Sequence, residues 1–231
     1  MSQVSAADLD VRLVRPSDIR YEINYAMNRK RPVFIWGPPG IGKSEIVDSI
    51  TQDRSGYMID MRLALMEPTD LRGIPVPNIE TGLMEWLPPA DLPTQELADQ
   101  FECITLFLDE MNQAPQSVQA AAYQLILNRR LGKYRLPDNV NIVAAGNRES
   151  DRGVAYRMPT ALANRFVHLE MTTDFEDWQT WALQNNIDAE VVGYVTANKM
   201  DLMNFDPRTA SRAFATPRSW TFVSQMLPME G

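Results

Sequence analysis

The run Gly37-Pro38-Pro39-Gly40-Ile41-Gly42-Lys43-Ser44 fits G-x-x-x-x-G-K-[ST]. It lies between an apolar tetrapeptide, Val33-Phe34-Ile35-Trp36, and a segment from Ser44 to Ile50 with helical spacing. A strand, a glycine loop and a helix in that order leave few folds open. The glycines let backbone N–H groups turn toward an anion, and the following helix presents its positive end to the same point. Such a loop suits the phosphates of a nucleoside triphosphate, with Lys43 reaching the β- and γ-phosphates and the Ser44 hydroxyl on Mg²⁺. Gly37, Pro38, Pro39, Gly40, Ile41, Gly42, Lys43, Ser44 and Glu45 are the candidate cofactor-binding residues.

The rest of the chain alternates in the way this unit requires. Pro16 to Asn28 and Ser117 to Arg130 have helical spacing, and short apolar runs at Tyr57–Met61, Ile104–Leu108, Val140–Ala145 and Phe166–Leu169 read as four further strands. Five short apolar strands separated by helical crossovers predict an α/β three-layer sandwich around a mainly parallel five-stranded sheet. Ligands then gather at the carboxyl ends of the strands. From about Thr172 only helices are expected: DFEDWQTWALQNN, DAEVVGYVTANKM and a last one beginning near Pro217. The chain therefore divides into a core over 1–171 and a small all-helical unit over 172–231. Within the core, residues 62–92 are proline-rich, and IPVP with LMEWLPP suggests a small extended hairpin inserted in a loop.

Ile104-Thr105-Leu106-Phe107-Leu108-Asp109-Glu110 is a buried-strand pattern that delivers two carboxylates to the edge where the glycine loop opens. Asp109 is suited to hold Mg²⁺ through its water shell, and Glu110 to orient and polarise the water that attacks a γ-phosphate. Asn147 ends the next strand, in VAAGN, and brings a neutral amide that can hold the same water without adding charge.

Composition removes several alternatives. A chain of 231 residues buries roughly 70% of its unfolded surface and needs no staples. Its single cysteine, Cys103, permits no internal disulfide, and with a single histidine, His168, it nearly excludes a Cys/His zinc site. Both facts suit a reducing cytoplasm. No apolar signal core opens the chain, and no stretch reaches bilayer length, so neither export nor membrane insertion is expected. With 22 Lys+Arg against 30 Asp+Glu, the net charge of −8 weighs against a sequence-independent grip on nucleic acid.

GPPGIGKS, the acids of LFLDE, Asn147 in AAGN, Arg165 in ALANRF and Arg218 in ATPRSW occur in an order that resembles AAA+ ATPases. Through EPTDLRGIPVP and WLPPADLP the chain looks like the MoxR group of that superfamily. The resemblance implies a P-loop NTPase core followed by a helical lid, with ATP and Mg²⁺ as cofactors. It makes Asn147 the sensor-1 residue, Arg165 an arginine finger reaching a neighbour's γ-phosphate, and Arg218 the sensor-2 residue of the lid. Lys43, Glu110, Asn147 and Arg165 are thus the catalytic candidates, Arg218 joins the nucleotide set, and Ser44 and Asp109 are the metal candidates. Arg129 and Arg130, closing the long helix, are further candidates for a contact in trans. The resemblance also implies a homo-oligomeric ring, usually a hexamer, acting as a chaperone or remodelling ATPase on a protein client, often one with a von Willebrand factor A domain.

Three rivals compete with that reading. Asp70-Leu71-Arg72-Gly73 and Asn198-Lys199-Met200-Asp201 fit the D-x-x-G and N-K-x-D patterns of a GTPase, but one falls in the proline-rich insert and the other in the helical region. A DNA-acting AAA+ motor keeps the same chemistry with another client. A nucleotide-gated scaffold makes hydrolysis incidental. His168, by contrast, is expected to be a hydrogen-bonded structural residue, and Trp178 and Trp181 to pack the helical unit.

Overall fold

A computed structural model describes residues 11–148, 151, 156, 158–208 and 213–227. The first ten residues of the expected core lie outside them. Strand β1 (Arg12–Val14) leads into helix α1 (Pro16–Met27), then β2 (Val33–Trp36), α2 (Lys43–Asp53) and β3 (Tyr57–Arg62). An excursion follows through α3 (Pro68–Arg72), the hairpin β4 (Ile74–Asn78) and β5 (Leu83–Leu87), and α4 (Gln95–Ala98). The chain returns with β6 (Ile104–Asp109), α5 (Gln116–Asn128), a second hairpin of β7 (Arg130–Leu131) and β8 (Tyr134–Arg135), β9 (Val140–Gly146), α6 (Thr160–Ala163) and β10 (Val167–Met171). Helices α7 (Phe175–Gln184), α8 (Ala189–Ala197) and α9 (Pro217–Met226) complete it.

One sheet holds six strands in the order β1-β10-β2-β9-β6-β3, every neighbour parallel. Successive side chains leave a strand on opposite faces, so the apolar runs feed two cores. Ile104, Leu106 and Leu108 of β6 join Val118, Ala122 and Leu125 of α5 on one face. Phe107 of the same strand joins Val143 of β9, Ile19, Ile23 and Met27 of α1, and Val47 and Ile50 of α2 on the other. Phe34 and Phe107 are fully buried on opposite faces, each contributing roughly 1.5–3 kcal/mol of transfer free energy. The three-layer α/β sandwich expected from the sequence is the observed fold.

The sheet has six strands where five are expected. Strand β1 has three residues, pairs among the described residues with β10 alone and buries one of the three, Val14, so it shows no periodicity to read. The long helix stops at Asn128, two residues early, because Arg129 adopts a left-handed conformation (φ 51°). Its guanidinium then turns back to donate to the carbonyls of Pro137 (2.8 Å) and Val140 (2.9 Å). Arg129 therefore fastens a loop and is not free for a contact in trans, which corrects one expectation; Arg130 opens β7 and is exposed.

The expected insert hairpin is present, with Ile74 opposite Leu87 and Asn78 opposite Leu83. Gly73 permits its closure. Its φ is +79°, and a side-chain carbon there would lie 1.7 Å from the Leu87 carbonyl oxygen. Asp70 accepts the Glu67 backbone N–H in a capping box on α3, so the D-x-x-G residues build the insert's start. The N-K-x-D residues pack the helical region: Asp201 accepts from the Tyr194 hydroxyl (2.9 Å), and its carbonyl from the Trp220 indole (2.9 Å). Both placements remove the GTPase reading's support. In the same region Trp178 is buried with Ala182, Val195 and Leu202, while Trp181 is 37% exposed and only partly meets the packing expectation.

Candidate active site

Parallel strands put every carboxyl end on one edge, and the register aligns Trp36 with Gly146 of β9 and with Glu170 of β10. The loop after β2, the acids at the end of β6 and Asn147 after β9 consequently share that edge. Gly40 (φ 79°) and Gly42 (φ 92°) take conformations that L side chains rarely adopt, and Gly42 is the N-cap of α2. These turns leave the backbone N–H groups of Gly40, Ile41, Gly42, Lys43, Ser44 and Glu45 without a hydrogen-bond partner among the described residues. Six successive donors at the positive end of an eleven-residue helix form a cradle for a polyanion. The Ile41 side chain is buried beneath the loop against the α1–α2 core, so the residue offers the cradle its N–H alone.

The Lys43 ammonium donates to the carbonyls of Gly37 (2.8 Å) and Pro38 (3.0 Å) and to Asn147 Oδ1 (3.3 Å). Burial pushes its pKa down to about 8, against the opposing pull of the Asp109, Asp151 and Glu110 charges. The Ser44 hydroxyl donates to Glu45 Oε2 (3.1 Å), and Glu45 Oε1 lies 3.7 Å from Arg218 Nη2.

Asp109 is the last residue of β6, and its Oδ1 accepts from the Glu110 backbone N–H (2.8 Å). Glu110 holds a left-handed conformation (φ 52°, ψ 31°), a strain of about 1–3 kcal/mol for a residue with a side chain. Asn147 is clamped by Asn112, whose amide donates to the Asn147 carbonyl (2.7 Å) while buried at 2% exposure.

Arg218 is the second residue of α9, behind Thr216 as N-cap and Pro217. Its backbone N–H donates to the Gly40 carbonyl (3.1 Å), and a side-chain carbon at Gly40 would lie 2.7 Å from Thr216 Oγ1. The last helix is thus seated directly on the glycine loop. Arg165 stands apart: it follows α6 and is exposed, and its guanidinium has no hydrogen bond or ion pair among the described residues.

Sequence reasoning missed an ion-pair network on this edge. Arg148 bonds Asp151 (3.1 Å) and Glu170 (3.1 Å), with the Asp151 side chain 3% exposed. No spacing rule joins an arginine after β9 to an acid in β10. The seat of Thr216 on Gly40 was equally invisible, since only the fold brings the two together. The residues hold hard oxygens, Ser44 Oγ and the Asp109 carboxylate, of the kind magnesium prefers. Among the described residues no cluster of three His, Cys, Asp or Glu side chains forms a metal site by itself.

Comparison with known proteins agrees with this geometry. The family described as AAA domain (dynein-related subfamily) matches residues 32–166. Midasin of Giardia intestinalis is 27% identical over 205 residues, which cover 83% of this chain and 4% of that protein. The chain therefore spans a small part of its curated relative. Among solved structures, NtrX from Brucella abortus in complex with ADP superposes with a TM-score of 0.54 at 15% identity, covering 97% of this chain and 49% of that one. A Thermotoga maritima RuvB mutant gives a TM-score of 0.50 at 16% identity, covering 90% and 59%. These structural likenesses show the fold.

Proposed function

Because the chain belongs to the AAA domain family, dynein-related subfamily, we propose that it is a Mg²⁺-dependent, MoxR-like AAA+ ATPase that couples ATP hydrolysis to remodelling of a protein partner. The observation that carries this reading is the row of six unpartnered N–H groups from Gly40 to Glu45 facing the same edge as Lys43, Asp109, Glu110 and Asn147. The cradle and Lys43 hold the triphosphate. Ser44 and Asp109 would hold magnesium, which when bound neutralises charge on the β- and γ-oxygens. Glu110 accepts a hydrogen bond from the attacking water and Asn147 fixes its place, so that ATP and water give ADP and phosphate. Arg218 contacts the nucleotide from the helical lid, residues 172–231, and Arg165 completes the site of a neighbouring subunit.

A shared site calls for a ring, a hexamer on the MoxR resemblance. The exposed Ile79, Leu83, Met84 and Leu87 of the insert hairpin offer apolar surface to a client, for which a von Willebrand factor A domain protein is the leading class. The single Cys103 and single His168 fit a cytoplasmic setting. Among the described residues no helix is long and apolar enough to cross a membrane.

The test is phosphate release from ATP with magnesium across a range of protein concentrations. Activity per chain should rise as chains assemble; activity that stays flat down to monomer would overturn the shared site. The Lys43 ammonium sets a second expectation. Its pKa in the free site is about 8, and bound phosphates raise it, so binding takes up a proton above that pH. Affinity is complete below about pH 8 and falls as pH rises through it, approaching tenfold per pH unit for one linked proton. Equilibrium binding of labelled ATP from pH 7 to 9.5 measures this, and a flat profile contradicts it.

A further inference from the structure

His168 lies in β10, one strand away from the glycine loop, and the ATPase chemistry above makes no use of it. Its ring is bonded at both nitrogens. The Trp36 indole N–H donates to Nδ1 (2.9 Å), and Nε2 lies 2.8 Å from the Ala163 carbonyl. Trp36 has only a donor to offer and the carbonyl only an acceptor, so the partners require a neutral imidazole with its proton on Nε2. Aromatic rings fix its plane: Trp36 stacks at 6.0 Å and 19°, with Phe34 at 5.9 Å and Phe166 at 6.1 Å.

The two ends of this link matter. Trp36 is the last residue of β2, directly before Gly37, whose carbonyl receives Lys43. Ala163 is the last residue of α6, and its carbonyl also accepts the Phe166 N–H (3.1 Å). Arg165 sits between Ala163 and Phe166, with its own N–H on the Leu162 carbonyl (3.0 Å). Since the Arg165 side chain has no partner among the described residues, its aim within one chain rests on the backbone that carries it.

We propose that His168 is a positioning residue for Arg165: through Trp36 it ties the strand that bears the phosphate cradle to the turn that presents the arginine to the next subunit. This rests on the reading of Arg165 as a residue acting in trans. The bridge makes the arginine's placement depend on the end of β2, where the chain's own nucleotide is held.

The test uses full-length assemblies. His168→Ala should lower kcat roughly 10- to 100-fold, the scale of a small misplacement, with KM for ATP within twofold of wild type. His168→Gln, whose amide can accept from the indole and donate to the carbonyl, should restore most of the loss. Trp36→Phe keeps an aromatic, apolar side chain and removes the donor, so it should reproduce the kcat loss if His168→Ala fails to fold. Mixed assemblies then locate the effect. Subunits carrying Glu110→Gln have an intact Arg165 and a dead site, so mixing them with His168→Ala subunits should recover turnover beyond the sum of the two alone. Recovery with Arg165→Ala subunits but not with His168→Ala subunits overturns the positioning role and leaves the trans reading standing. Recovery in neither mixture overturns the trans reading and this inference together. A KM that rises as much as kcat falls in Trp36→Phe also overturns it.

Discussion

Replacing Arg165 with Ala is expected to leave nucleotide affinity within about twofold of wild type and to reduce kcat by roughly 10³-fold or more, the scale of an arginine supplied to a phosphoryl-transfer transition state. The reason is geometric. Arg165 is exposed and unpaired among the described residues, and within one chain no hydrogen bond or ion pair joins it to Lys43, Asp109 or Glu110. A guanidinium so placed contributes little to the fold, so its removal should not unfold the protein, and its charge is available to a phosphate held by another subunit. Steady-state phosphate release combined with equilibrium nucleotide binding separates the two effects. Normal turnover in the variant would remove Arg165 from the site.

Glu110→Gln should likewise retain nucleotide and lose hydrolysis, by about 10²- to 10⁴-fold. The substitution is isosteric. It preserves the Glu110 N–H bond to Asp109 Oδ1 (2.8 Å) and the left-handed turn, so the strand end and its magnesium candidate stay in place. Only the carboxylate's ability to accept the water's developing charge is lost. Single-turnover hydrolysis measures the chemical step, and a rate near wild type would reassign the water-orienting role. The same variant separates a motor from a scaffold: client remodelling that survives while hydrolysis is lost would establish gating by binding alone.

How far the site could be read from the sequence depended on how local its chemistry is. The cradle is contiguous, so its glycines, Lys43 and Ser44 were legible at once. Asp109 and Glu110 were legible because five consecutive buried residues, Ile104 to Leu108, announce the strand that delivers them. Asn147 could be placed at the same edge for the same reason. The missed features are those with no local signature. Strand β1 is three residues long, and β7 and β8 are two each, too short for a period of two to declare itself. Arg129, a charge closing the long helix, reads as a candidate for a contact in trans, whereas its left-handed backbone turns it into a loop fastener. The Arg148, Asp151 and Glu170 network, the Thr216 seat on Gly40 and the Trp36–His168–Ala163 bridge join residues that only the completed sheet and lid bring together. For His168 the sequence supported a structural role, and the geometry adds a direction to it.

The cradle itself is the claim on which the rest depends, and titrating ATP with magnesium into the purified protein by calorimetry tests it most directly. Saturable heat with one nucleotide per chain, lost in Lys43→Ala, is the expected result. No heat of binding with the wild-type protein, or equal binding by Lys43→Ala, would contradict the account.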